Sequence, residues 1–366
     1  MDVKVFKSSP DQPPPFESSG VVGWLKANLF STKTSGVLTI LALAFLWKTL
    51  PLLISWALID ATWSTSPVAC PPDASGACWT FIVVKFRVLM LGLYPEHLMW
   101  RPIVAFFLFA GTCAATYFRW IGTRFLMLLW LLLPLPLFLL INGSNSFQTI
   151  GLVPVEQSLW GGLMLSTGLA AIGIIWSLPV GILLALGRRS RLPLIKAICV
   201  TLIECIRGVP LITILFMASV MLPIFLPQDM TINNLLRVQI GIILFSSAYI
   251  AEVVRGGLQA VPPGQIEAAN SLGLKPWRVT WLVVLPQALR HVVPSLIGRC
   301  VALFKDTSLV IIVGLLDFLG MIKASAQDPQ WLGHDAEAYV FCALVYWAIC
   351  FSISRYGKSI EHRNQW

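Results

Sequence analysis

Charge is scarce in this chain. Only 12% of its 366 residues are charged and 57% are hydrophobic, whereas a soluble domain carries about 25% charged residues. That shortage excludes an ordinary soluble globule. With several apolar runs of about 20 residues, it points to an all-α, polytopic membrane protein. Histidine is scarcer still: His97, His291, His334 and His362 are scattered through loops and helix ends. No Cys/His spacing matches a zinc site, so no metal is expected. No histidine has a partner for nucleophilic catalysis, and no enzyme is read. A complete phosphate loop is missing as well. "YGKS" at 356 to 359 has the right ending, but the Gly required five positions before Gly357 is Ser352. The chain is expected to carry no nucleotide site and no cofactor. If it pumps, another subunit or an ion gradient supplies the energy. No cleavable signal peptide is read, since the first apolar run starts late and is long enough to stay as a span.

What is abundant is apolar sequence interrupted by basic loops. Mean hydropathy is +0.79. Eight spans are expected, near residues 38–60, 102–118, 125–142, 158–186, 208–226, 238–256, 296–317 and 338–355. The net charge of +9 is read as loop residues held in the cytoplasm, not as nucleic-acid binding. Lys26, Arg124, Arg188, Lys275, Arg290, Arg355 and Lys358 fall on one side of the alternation. The other side keeps Lys85, Arg87, Arg101, Arg237 and Lys323. This bias places both termini inside.

Residues 1–36 form a polar tail, 37–157 a three-span extension with a long outer loop, and 158–366 a five-span core. Cys70 and Cys78 flank "PPDASGA" in that outer loop and are disulfide candidates if it faces an oxidising compartment. The other six cysteines lie in or near apolar runs, where Cys behaves as a small hydrophobe.

Two features place charge at membrane depth. Glu204–Arg207 and Glu252–Arg255 repeat Glu-x-x-Arg-Gly near span ends. Spacing of i, i+3 puts each pair on one helix face. They read either as interfacial ion pairs or as gate elements. "FKDTSL" sets Lys305, Asp306 and Ser308 inside the seventh expected span. Lys305 and Asp306 point about 100° apart on a helix, so each needs another partner or a polar path. They read as lining or gating residues, or as satisfied structural groups.

The loop between the sixth and seventh spans, residues 257–295, is too patterned for a connector. Pro262 and Pro263 suit a helix start, and Gly273 suits its stop. Pro276 starts a second helix that Pro286 should interrupt or bend. Glu267 offers a carboxylate beside small Ala268 and Ala269. An exposed helix of this kind fits a groove on a cytoplasmic partner.

"EAANSLGLKPWRVTWLVVLP", residues 267 to 286, resembles the EAA motif of bacterial ABC importer permeases. Glu267, Ala268, Ala269, Gly273, Leu285 and Pro286 match it, and Val283 stands where the family has Ile. "ECIRGVPLI", "AYIAEVVRGGLQAVPPGQIEAANSLGL" and "LFKDTSL" are similar to the polar amino acid permeases, over about residues 158 to 360. The three-span extension looks like that of the larger permease subunit of general L-amino-acid transporters. The resemblance implies a type I, MetI-like core in the bacterial inner membrane, surrounded by lipid. It implies a cytoplasmic ATP-binding subunit docked on residues 267 to 273, a second related permease, and a periplasmic amino-acid-binding protein that delivers an L-amino acid. The competing reading is a secondary amino acid transporter that uses broken helices and a charge such as Asp306 for ion coupling. The long patterned loop disfavours it.

Overall fold

The computed structural model describes residues 20–64, 75–118, 120–146, 151–227 and 232–364. Among these residues the chain is helical, with only isolated bridges in place of sheet. They fall into two units, divided near residue 80.

The first unit holds α1 (Gly20–Asn28) and α2 (Lys33–Ile54). Thr32 caps α2, its hydroxyl accepting from Ser35 N at 3.1 Å. A π turn at Ser55–Ile59 extends α2 into one apolar stretch that buries no residue, which suits a span surrounded by lipid. Beyond it Thr62 pairs with Cys78, and Trp79 Nε1 donates to Ala57 O at 2.8 Å. Cys78 is disulfide-bonded. Cys70, its expected partner, lies outside the described residues.

The second unit begins with α3 (Thr80–Leu91), a helix inside the long loop that the sequence suggested between its first two spans. Next come α4 (Trp100–Phe118) and a span made of α5 (Thr123–Leu132) and α6 (Pro134–Asn142). The core follows: α7 (Gly162–Arg188), α8 (Pro193–Arg207), α9 (Leu211–Phe216), α10 (Leu222–Phe225) and α11 (Asn234–Ala260). After these come α12 (Pro263–Ser271), α13 (Pro276–Arg278), α14 (Leu285–Asp306), α15 (Phe318–Ala326) and α16 (Asp335–Asn364).

Among the described residues six helices are long and apolar enough to cross a membrane, and α8 with α9–α10 makes a seventh candidate bent by 107°. The expected span at 208–226 is one arm of that bend. The expected span at 296–317 is the end of α14 plus a 3-10 turn, Thr307–Val313. The count of about eight therefore agrees, with two spans less regular than the apolar runs suggested. The chain is a multi-pass helical membrane protein.

Between helices in lipid, close packing replaces the hydrophobic drive, so interfaces favour small residues. α7 carries Gly173, Ser177, Gly181 and Ala185 at four-residue intervals, all buried. A Cβ on Gly181 would stand 2.6 Å from Ile250 Cγ2 and 2.9 Å from Ser247 O. That ridge lets α7 and α11 approach closely: Ser247 Oγ, which donates to Ile243 O at 2.6 Å within α11, lies 3.3 Å from Ser177 O of α7. Arg101 is wholly buried and donates to Val153 O at 2.7 Å and Gly151 O at 2.5 Å. It ties α4 to the segment that precedes α7, where the sequence showed only a loop charge.

Candidate functional site

The patterned loop is a helix, a turn and a second helix, as its prolines and glycine suggested. α12 begins after Pro262 with Pro263 in its first turn. It ends in a left-handed turn: Gly273 has φ +71°. Gly273 N donates to Asn270 O at 2.9 Å, and Leu274 N to Ala269 O at 3.3 Å. These two bonds satisfy carbonyls that the helix end leaves open. The second helix is interrupted just before Pro286, as that proline suggested: a six-residue π turn at Val279–Val284 leads directly into α14, whose first turn holds Pro286. The wider turn takes up the proline ring and its missing N–H, so the helical path continues. The loop therefore runs into the next span as one helical rod.

The matched residues divide into two sets. Glu267 and Ala268 are exposed, while Ala269 and Leu285 are buried. Ala269, Val279, Val284 and Leu285 pack in one cluster with Ile203 of α8, Val254 and Leu258 of α11, and Ala288 of α14. The loop is thus attached to three membrane helices through its inner face. Ala269 belongs to this attachment, not to a surface that another chain approaches. Leu272 and Trp277 enlarge the outward face: both are exposed, Leu272 at 81%. Sequence reasoning passed over these two, although an apolar residue beside a Gly turn in a polar loop was a usable signal.

The two Glu-x-x-Arg motifs meet. Arg188, at the end of α7, donates to Glu204 Oε1 at 2.9 Å and Glu252 Oε2 at 3.3 Å. Arg207 lies 3.8 Å from Glu204 and 3.6 Å from Glu252, and Arg255 pairs with Glu252. Three guanidinium groups thus share two carboxylates from α8 and α11. Arg188 was read only as a loop cation, and nothing local in its sequence marked it as the bridge. Tyr249 extends the cluster, its ring centroid 5.7 Å from the guanidinium carbon of Arg207 and 4.5 Å from that of Arg299. Rings hold cations at such distances. Arg299 Nε and Nη2 are buried without a hydrogen-bond partner among the described residues.

"FKDTSL" is split by structure. α14 ends at Asp306, and the 3-10 turn takes over at Thr307. Lys305 is exposed and Asp306 half-buried, and no ion pair joins them. Ser308 Oγ donates to Lys305 O at 2.8 Å and Thr307 Oγ1 to Phe304 O at 2.8 Å, so both hydroxyls close the helix end. Asp306 follows Arg299 by seven residues in α14. Arg299 and Asp306, two turns apart on α14, thus face a common region.

This architecture has known counterparts. Residues 177–365 match the family described as binding-protein-dependent transport system inner membrane component. The chain is 45% identical over 362 residues to the inner membrane amino-acid ABC transporter permease protein YhdY of Escherichia coli (strain K12), covering 98% of this chain and 97% of that one. It is 34% identical over 419 residues to the glutamate/glutamine/aspartate/asparagine transport system permease protein BztC of Rhodobacter capsulatus, covering 96% of this chain and 95% of that one. Among solved structures, an amino acid ABC transporter crystallised with histidines is similar, with 28% identity and a TM-score of 0.50 over 55% of this chain and 92% of that one. The chain belongs to the family of binding-protein-dependent transport system inner membrane components.

Proposed function

We propose that this chain is the permease subunit of an ATP-driven importer of L-amino acids. The observation that carries this reading is the loop at residues 263–286. It exposes Glu267, Ala268 and Leu272 on one side and fastens Ala269, Val279 and Leu285 to α8, α11 and α14 on the other. A contact at the exposed side is thereby passed to membrane helices. The expected occupant is a cleft on a cytoplasmic ATP-binding subunit, with a cation that pairs with Glu267. ATP-driven closure of that partner would move the two helices and, through them, the spans.

The names of the relatives support amino acids as the transported class. A substrate carboxylate would find the unpaired Nε and Nη2 of Arg299, and its ammonium would find Asp306. Lys305 and Ser308 sit beside this region. The Arg188–Glu204–Glu252 cluster, where α7, α8 and α11 converge, acts as a gate element that holds one conformation. A soluble amino-acid-binding protein delivers substrate at the opposite face, and a related permease completes the pathway as a heterodimer. Both termini lie in the cytoplasm of a bacterium whose inner membrane holds the complex.

The test is co-purification. The tagged chain should retain its ATP-binding subunit, and Glu267→Ala should weaken that retention without loss of the partner permease. Equal retention by Glu267→Ala together with unaltered ATPase stimulation would remove Glu267 from the contact.

A further inference from the structure

The "YGKS" segment is not a phosphate loop, yet its residues frame a cleft. Tyr117, at the end of α4, faces α16 across a space of about 640 Å³ lined by Phe351, Ser352, Arg355, Tyr356, Lys358 and Ser359. Helical geometry explains the lining. Ser352, Tyr356 and Ser359 recur at i, i+4 and i+7, as do Phe351, Arg355 and Lys358, so two adjacent stripes of α16 border the space. Gly357 faces elsewhere. A Cβ there would stand 2.5 Å from Ile297 Cγ2, so Gly357 presses α16 onto α14 and fixes which stripes are turned outward.

The chemistry of the cleft is that of an anion site at a membrane boundary. Arg355 and Lys358 are exposed, and neither forms an ion pair among the described residues. Ser352 donates its hydroxyl to Ala348 O at 2.7 Å, which leaves its oxygen free to accept, while Ser359 adds a second hydroxyl. The aromatic rings Tyr117 and Tyr356 stand 5.9 Å apart and form one wall. One turn deeper, Trp347 and Phe351 stack at 5.3 Å and are exposed on an apolar helix face. A headgroup of negative charge is accommodated by the cations and hydroxyls, and an acyl chain by the stacked rings above. Free phosphate would use only the first half of this arrangement.

We infer that the cleft between α4 and α16 binds the phosphodiester headgroup of an anionic phospholipid, with Arg355 and Lys358 on the phosphate and the acyl chain along Trp347 and Phe351. Basic pockets between spans are suited to such headgroups, and each cation contributes about 1 kcal/mol beside an anionic surface. The site is independent of the transported substrate, and the inference holds on either orientation of the chain.

The experiment uses the full-length chain in its complex, delipidated in detergent and titrated with phosphatidylglycerol, bound lipid being read by native mass spectrometry. Phosphatidylglycerol should bind in preference to phosphatidylcholine. R355Q/K358Q should lower that affinity about 30-fold, two cations at the strength above, and R355K should retain most of it. Unchanged phosphatidylglycerol binding by R355Q/K358Q would overturn the assignment. If that variant does not fold, the wild-type comparison decides, because equal binding of the two lipids also overturns it. Displacement of the lipid by millimolar inorganic phosphate alone would show a free-anion site and would likewise overturn the lipid assignment.

Discussion

Replacing Gly273 by Val probes the proposed coupling loop through the backbone alone. Gly273 has φ +71°, and a Cβ built there has nothing within 4 Å. A Cβ at this position meets open space, so the effect is expected to come from forcing a β-branched residue into the left-handed region. That costs about 1–2 kcal/mol. The strain is relieved if the turn opens, which gives up the bonds from Gly273 N to Asn270 O and from Leu274 N to Ala269 O. α12 then loses its fixed angle to the rod that continues into α14. At about 1.4 kcal/mol per tenfold change in population, the docked geometry should fall about 5- to 30-fold. Asn tolerates this conformation far better than Val, so Gly273→Asn should retain most function. The assay is paired: ATPase stimulation and amino acid uptake in the reconstituted complex, with subunit co-purification as control. Both activities should fall together in Gly273→Val and recover in Gly273→Asn. Wild-type activity in the Val variant, or equal damage from Asn, would refute the reasoning.

The remaining predictions concern charge. Glu252→Gln removes a carboxylate that meets Arg188, Arg207 and Arg255 and leaves three cations facing Glu204 alone; discounted for its 22% exposure, the loss should be about 1–3 kcal/mol. It should appear as a lower unfolding midpoint in detergent, with a smaller drop for the more exposed Glu204→Gln. Asp306→Ala should lower uptake while assembly with partners persists; normal uptake at normal protein level would remove Asp306 from the path. At the other membrane face, Lys85 Nζ lies 2.5 Å from Asp328 Oδ2. This hydrogen bond, followed by that from Gln330 N, holds the Asp328 carboxyl below its usual range. A carboxyl lowered on folding stabilises above its unfolded value and loses that contribution as pH falls through the folded one. Melting curves at descending pH should therefore show a fall below about pH 4 that Lys85→Met reduces, and identical curves would exclude the contribution.

The sequence made some elements legible because their signals are local. Apolar runs located the spans, and Pro263, Gly273 and Pro276 located the two short helices of the loop. Other features depend on distant residues. Arg188 looks like any basic loop residue until α7, α8 and α11 converge on it. Arg101 looks like an exposed outer charge until residues 151 and 153 cover it. Ala268 and Ala269 are identical in sequence, yet only the packing of α12 on the π turn Val279–Val284 sends one outward and the other inward. The 3-10 turn after Asp306 was hidden because residues 309–313 are apolar and continue the run that an unbroken helix would show. The bend between α8 and α9 falls where the expected span begins, and α8 itself, interrupted by Lys196, Glu204 and Arg207, lies outside every expected span.

The central claim is that movement of this chain is driven by ATP through a partner at residues 263–286. Uptake of a labelled amino acid by proteoliposomes holding the whole complex and its binding protein tests it directly. ATP is either enclosed or omitted, and proton and sodium gradients are held constant. Uptake should require enclosed ATP and should stop on its removal with the gradients intact. Uptake that continues without ATP and collapses with the gradients would contradict the account and establish ion-coupled transport instead.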